Sequence, residues 1–211
     1  QAGASILDVN IGVPDIDQPR VMRDIIGDLS MIVDTPLAID TTDPASLEEG
    51  LKAFPGRALV NSVSAEPERM AQFLPLAKKY GAAVLCLPVS DSGVPTTAGE
   101  RVATVRKIVE TALAIGLRPK DLLLDALVLT IAADSQAAKE TLKTLQLYRQ
   151  HFGYPSVLGL SNISYGLPNR PLLNAAFCAM AMGSGLDAPI LNPYEPLMQD
   201  ILAAAGVLRG D

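Results

Sequence analysis

The chain has 211 residues, 49% of them hydrophobic and 19% charged, which is enough to bury a large core and excludes a disordered chain. Its 17 Lys and Arg against 23 Asp and Glu give a net charge of −6, the wrong sign for a nucleic-acid binder. With no Trp, four Phe and five Tyr, base-stacking platforms are excluded too.

The opening Gln1-Ala2-Gly3-Ala4 reads as the end of a helix, so the expected start of the domain lies upstream. A first apolar run, Ser5-Ile6-Leu7-Asp8-Val9, is too continuous for a half-exposed strand. It reads as a parallel strand buried on both faces. The same pattern recurs at Leu37-Ala38-Ile39-Asp40. Asp43-Pro44 then supplies an N-cap and a proline at the first helical position, opening a helix from Ala45 to Phe54. A third run, Ala58-Leu59-Val60-Asn61, precedes a helix opened by Glu66-Pro67. That helix carries Met70, Phe73, Leu74 and Ala77 and stops at Gly81. Ala82 to Leu87 is the fourth run. It is followed by a helical stripe of Val102, Val105, Val109 and Ala112 that closes at Gly116. Leu122-Leu123-Leu124-Asp125 precedes a stripe of Leu142, Leu145 and Tyr148 closing at Gly153. Val157 to Asn162 precedes a helix from about Pro171 to Met182, and Pro189-Ile190-Leu191-Asn192 precedes one from about Glu195 to Leu208.

The runs begin about 31 residues apart, the size of one βα unit. No composition break divides them. The expectation is one domain over residues 1–211: an α/β (β/α)8 TIM barrel lacking its first strand and helix. The alternative, a doubly wound open sheet, would need a Gly-rich fingerprint that follows none of the runs. No apolar run is long enough for a spanning helix and no signal peptide is visible. Cys86 and Cys178 sit in apolar runs, as reduced thiols do. These features predict a cytoplasmic protein.

Chemistry in a parallel barrel belongs to the C-terminal strand ends. Those ends carry Asp8, Asn10, Asp40, Asn61, Asp125, Asn162 and Asn192. Asp and Asn also open loops and cap helices, which is enough to explain Asn192. Asp40 is different, because a separate cap, Asp43, follows it. Asn61 and Asn162 stand well ahead of any expected helix. The only histidine, His151, falls late in a helix, so Ser–His and Cys–His catalysis are hard to build, and zinc lacks its usual ligands. Asp8, Asp40 and Asp125 could hold Mg²⁺ as in a lyase, but no lysine stands at a strand end to serve as base. The expectation is therefore no metal. Carboxylates interleaved with amides suit a neutral heterocycle such as a pterin. Its amino group and ring N–H face a carboxylate, and its carbonyl and ring nitrogen face an amide.

The segments Asp8-Val9-Asn10, Ile39-Asp40-Thr41-Thr42, Val60-Asn61-Ser62, Leu124-Asp125, Leu158 to Ser164, Asn169 to Asn174, Ala179 to Met182 and Gly185-Leu186-Asp187 occur in a telling order. Together they resemble the methyltetrahydrofolate:corrinoid methyltransferases and the folate domain of cobalamin-dependent methionine synthase. The resemblance implies a barrel that passes the N5 methyl group of 5-methyltetrahydrofolate to Co(I) of a corrinoid. That corrinoid would ride on a partner, such as a corrinoid/iron-sulfur protein, and not on this chain. It implies that Asp40, Asn61 and Asp125 hold the pterin, with Asp8 and Asn10 at the pocket floor. Asn162 would hydrogen-bond N5, Ser161 and Arg170 would lie in the same loop, and the catalytic residues would be Asn162 and Asp125. A homodimer is implied as well. The family's Gly-Glu-Arg-x-Asn first strand is missing, and Tyr165-Gly166-Leu167-Pro168 departs from members with amides there. Two other functions compete. Dihydropteroate synthase would show a Glu-Ser-Thr-Arg-Pro-Gly loop and a Ser-Arg-Lys that this chain lacks. A catalytically silent folate- or corrinoid-binding accessory subunit is the non-enzymatic alternative.

Overall fold

The computed structural model describes residues 3–13 and 15–210. Gln1 and Ala2, half of the expected helix end, lie outside them, and Gly3 and Ala4 are not helical. Strands and helices alternate in the order β1 (Leu7–Asn10), α1 (Gln18–Ser30), β2 (Leu37–Asp40), α2 (Pro44–Ala53), β3 (Leu59–Ser64), α3 (Pro67–Tyr80), β4 (Ala83–Leu87), α4 (Ala98–Ala114), β5 (Leu122–Asp125), α5 (Ala137–His151), β6 (Ser156–Gly159), α6 (Arg170–Gly183), β7 (Ala188–Ile190) and α7 (Pro196–Arg209). Short 3-10 turns occur at Pro119–Asp121 and Leu160–Ser164.

The chain forms two compact units. The first comprises residues 3–86 and 106–123, the second 87–105 and 124–210, so α4 and β5 run through both. Within the first unit, β1 to β4 follow one another in chain order. β1 pairs with β2 and β2 with β3, all parallel, with Asn10 opposite Asp40 and Asp40 opposite Asn61. Leu37, Ala38 and Ile39 of β2 are all buried, so this strand is covered on both faces as its apolar run requires. β1 alternates instead: Val9 is buried while Asp8 and Asn10 are exposed. The helix α1, absent from the elements expected above, carries the apolar stripe Val21, Met22, Ile25, Ile26 and Leu29; it is opened by Asp17, whose side chain accepts from the Arg20 N–H, and buries Met22 and Ile26. Asp43 caps α2 as expected, accepting from Ser46 N at 2.8 Å and Ser46 Oγ at 2.6 Å. Gly50 of α2 admits α1 and β2 to close range: an added Cβ would lie 3.0 Å from both Met22 Cγ and Ile39 Cδ1. Gly81 ends α3 in the left-handed region at φ 69°, where glycine is at ease.

Within the second unit, β5, β6 and β7 run parallel in chain order, with Asp125 opposite Val157 and Gly159 opposite Ile190. Val157, Leu158, Leu145, Tyr148, Phe177, Cys178 and Leu186 form the core of this unit. Asp187 fixes the start of β6, accepting from Ser156 N at 2.8 Å and Ser156 Oγ at 3.1 Å. Cys86 and Cys178 are both buried free thiols.

Candidate functional site

In the first unit the parallel register places Asn10, Asp40 and Asn61 in one row: Asn10 and Asp40 end β1 and β2, while β3 continues past Asn61 to Ser64, three residues beyond the end expected from its apolar run. Two amide–carboxylate pairs tie these three strands together. Asn10 Nδ2 donates to Asp40 Oδ2 at 2.8 Å, and Asn61 Nδ2 donates to Asp8 Oδ1 at 3.0 Å. The Asn10 Oδ1 in turn accepts from Gly12 N at 2.8 Å, which fixes the amide's orientation. Partial burial raises the Asp8 pKa and the Asp40 charge adds to this, against the Asn61 amide, which lowers it. The four residues expected to line the pterin on this side are thus brought together. Each carboxylate is matched by a neutral donor, not by a cation.

In the second unit Asp125 ends β5 and is only 8% exposed. Its Oδ1 accepts from Leu127 N at 2.7 Å, closing a turn. Its backbone carbonyl accepts from Tyr148 Oη at 3.0 Å. Burial pushes the Asp125 pKa up to about 6, opposed by the Leu127 N–H and the Arg101 charge. A carboxyl that titrates just below neutrality can accept hydrogen bonds when ionised and hold a proton when not.

Asn162 lies inside the 3-10 turn Leu160–Ser164, not at the end of a strand as the run Val157 to Asn162 suggests, because β6 already stops at Gly159. Its side chain is solvent-exposed. Gly159 makes room for it: an added Cβ would stand 3.3 Å from Asn162 Nδ2. Arg170, the first residue of α6, braces this turn from behind. It donates through Nη2 to Ser161 O at 3.0 Å and through Nε to Ser164 Oγ at 3.1 Å, and Ser164 Oγ donates to Asn174 Oδ1 at 2.7 Å. The Arg170 guanidinium also lies 5.9 Å from the centroid of the Tyr165 ring, and Tyr165 is 68% exposed. Ser161 is exposed and enters this network through its backbone oxygen. Arg170 therefore spends two donors on the loop that presents Asn162. Asn192 forms a local turn, its Oδ1 accepting from Tyr194 N at 3.0 Å, and His151 is the exposed last residue of α5.

Three participants are not evident from the sequence: Gly159, Leu127 and Arg101. Arg101 precedes Val105, Ile108 and Ala112 by four, seven and eleven residues, so it falls on the buried face of α4. A charge at that phase of an apolar stripe is the signal that could have revealed it. Among the described residues no group of three or more His, Cys, Asp or Glu is arranged to hold a metal ion, and no helix is long and apolar enough to cross a membrane.

The profile of the pterin-binding enzyme family matches residues 1–192. A methylcorrinoid:tetrahydrofolate methyltransferase of Eubacterium limosum is 30% identical over 219 aligned residues, which take in all of this chain and 79% of the relative. The methionine synthase of Mycobacterium tuberculosis is 30% identical over 208 residues, covering 92% of this chain but 17% of that much longer protein. Among solved structures, dihydropteroate synthases of Yersinia pestis and Vibrio fischeri each superpose on the whole chain with a TM-score of 0.75 at 20% identity, covering 84% of their own length. At that identity the likeness speaks for the fold alone, the α/β barrel type expected from the alternating strands and helices. The chain belongs to the pterin-binding enzyme family. Its relatives by sequence place it among the methyltransferases of that family.

Proposed function

We propose that this chain is a pterin-binding barrel domain that transfers the N5 methyl group of 5-methyltetrahydrofolate to the Co(I) corrinoid of a partner protein. Asp40, Asn61 and Asp125 hold the pterin in this reading, and Asp8 and Asn10 keep the first-unit pair rigid. The corrinoid supplies a methyl acceptor. What remains for the protein is the leaving group. As the N5–CH₃ bond breaks, its electron pair stays on N5, and a tertiary amine leaves poorly unless N5 carries a proton. The Asn162 amide, exposed on its braced turn, would orient and stabilise that protonated nitrogen, where charge is greatest in the transition state. Asp125, with a pKa of about 6, is suited to relaying the proton through water. No covalent enzyme intermediate is required. The Eubacterium limosum relative is named for the opposite direction of transfer. The same N5 contacts serve both directions, because one transition state is shared.

The observation that carries the reading is Asn162 on the turn Leu160–Ser164, held against Gly159 in a chain whose relatives by sequence are methyltransferases. A second reading, dihydropteroate synthesis, is the one weighed against it from the sequence. It would call for the Ser-Arg-Lys cations where this turn carries Leu160-Ser161-Asn162. Partnership with a corrinoid/iron-sulfur protein, a homodimer and a cytoplasmic setting belong to the same proposal. Titration calorimetry with 5-methyltetrahydrofolate followed by a Co(I) methylation assay tests it. Binding together with methyl transfer is the expected result. Binding without transfer would favour an accessory subunit, and condensation of a pterin pyrophosphate with p-aminobenzoate would favour a synthase.

A further inference from the structure

Asp125 alone does not explain the loop that presents it. Leu127, two residues on, holds φ at 51°, a left-handed backbone that is uncommon for any residue but glycine and asparagine. Such a residue persists only where its surroundings over-determine it. Here its N–H donates to Asp125 Oδ1 at 2.7 Å. Its carbonyl accepts from Arg101 Nη1 at 2.8 Å and lies 2.9 Å from Thr141 Oγ1, whose one proton it shares with Ala137 O at the same distance. Arg101 is completely buried and binds nothing but its surroundings. Nη1 also donates to Ala126 O and Thr141 Oγ1, at 3.2 and 3.1 Å, and Nε donates to Pro95 O at 3.2 Å. One guanidinium thereby joins the segment after β4 to the segment after β5. Nη2 is buried without a hydrogen-bond partner among the described residues. A buried cation with an unspent donor is costly, so packing alone is a poor reason for an arginine here.

We propose that Arg101, assisted by Thr141, is the positioning residue for Asp125: the clamp holds Leu127 in its left-handed conformation, so that one carboxylate oxygen is fixed by the Leu127 N–H and the other is presented to the ligand in ionised form. This rests on the folate-binding role of Asp125. The guanidinium has a second effect, as the cation that favours the charged form of Asp125. The other groups acting on it are Tyr148 and Glu140 of α5 and Asp134 ahead of that helix. Glu140 is itself occupied, accepting from Ala98 N at 2.7 Å at the start of α4.

The test uses full-length protein and two readouts: the Asp125 side-chain titration by carbon NMR without ligand, and 5-methyltetrahydrofolate affinity across pH by calorimetry. In Arg101→Met the Asp125 titration is expected to move up by about one pH unit. Affinity at neutral pH should fall on the order of tenfold. Arg101→Lys keeps the charge and should restore the titration while recovering affinity in part. Thr141→Val removes no charge; it should leave the titration in place and weaken binding severalfold, and it decides the matter if Arg101→Met does not fold. Wild-type titration and affinity in Arg101→Met, or wild-type affinity in Thr141→Val, would overturn the positioning role. An Asp125→Asn variant that binds folate normally would instead overturn the folate reading itself.

Discussion

At the scale of single residues the proposed function divides the labour of the site between binding and chemistry. Asn162→Ala should lower the methyl-transfer rate on the order of 10²-fold while changing folate affinity little, because the contact with N5 proposed for it would matter most where charge develops. Single-turnover transfer against calorimetric binding separates the two, and a raised KM at full turnover would exclude the assignment. Gly159→Ala acts on the same atom at one remove. The new methyl meets Asn162 Nδ2 at 3.3 Å, so transfer should slow in the same assay with folding intact. Asp125→Asn should cost about 1–3 kcal/mol of folate binding, since it turns a donor toward pterin donors. Its effect on stability has the opposite sign. The folded-state pKa of about 6 stands above the ordinary 3.8, so the contribution of Asp125 is present below pH 4 and lost as pH rises through 6. The variant should therefore be more stable than the parent at pH 8, by at most about 3 kcal/mol, and the gain should vanish near pH 4 in thermal unfolding. Asp121 behaves conversely. The Arg118 side chain holds it down to about 2, so its contribution is present above pH 4 and lost toward pH 2. Asp40 and Asp125 were legible because their strands are apolar until they stop there, whereas β1 carries Asp8 within it and β3 continues past Asn61 to Ser64. Leu127 and Gly159 were not legible, because a left-handed leucine and a close approach are properties of tertiary placement that one-dimensional patterns do not carry, whereas Arg101 was betrayed only by its phase on the apolar stripe of α4.

At the scale of elements, caps and stops were the readable part. Asp43-Pro44, Glu66-Pro67 and Gly81 mark helix ends where the structure has them. The helix α1 is legible as well, in the stripe Val21, Met22, Ile25, Ile26 and Leu29, although the elements expected from the sequence include no helix between the first two strands. The turn Leu160–Ser164 was hidden: five residues are shorter than any helical period can reveal. Gly50 shows how an element's composition is set by its neighbours. Gly50→Ala would gain about 1 kcal/mol in helix propensity. It would also drive a methyl to 3.0 Å from Met22 and Ile39, an overpacking worth roughly 1–3 kcal/mol. The net expectation is a lower denaturation midpoint in urea; a rise would show that α1 can shift away.

For the whole molecule, methyl transfer demands that a corrinoid protein reach the folate and leave again, which suits a small, wet and transient interface. The loop from Tyr165 to Pro168 is proposed to form part of that docking rim. Tyr165→Ala should slow transfer to the corrinoid protein and leave folate affinity unchanged. Loss of folate binding with full transfer at saturation would move the loop into the pterin pocket. The same residue has a use in spectroscopy. The chain contains no Trp and five Tyr, so its intrinsic emission comes from tyrosine alone. Tyr148 is buried, whereas the Tyr165 ring stands in solvent beside the Arg170 guanidinium. A strongly absorbing corrinoid brought to this loop would quench that ring by energy transfer. Arrival of the partner should thus be visible as a drop in tyrosine fluorescence, without any label, and the part of the drop that Tyr165→Phe removes would report on this loop alone.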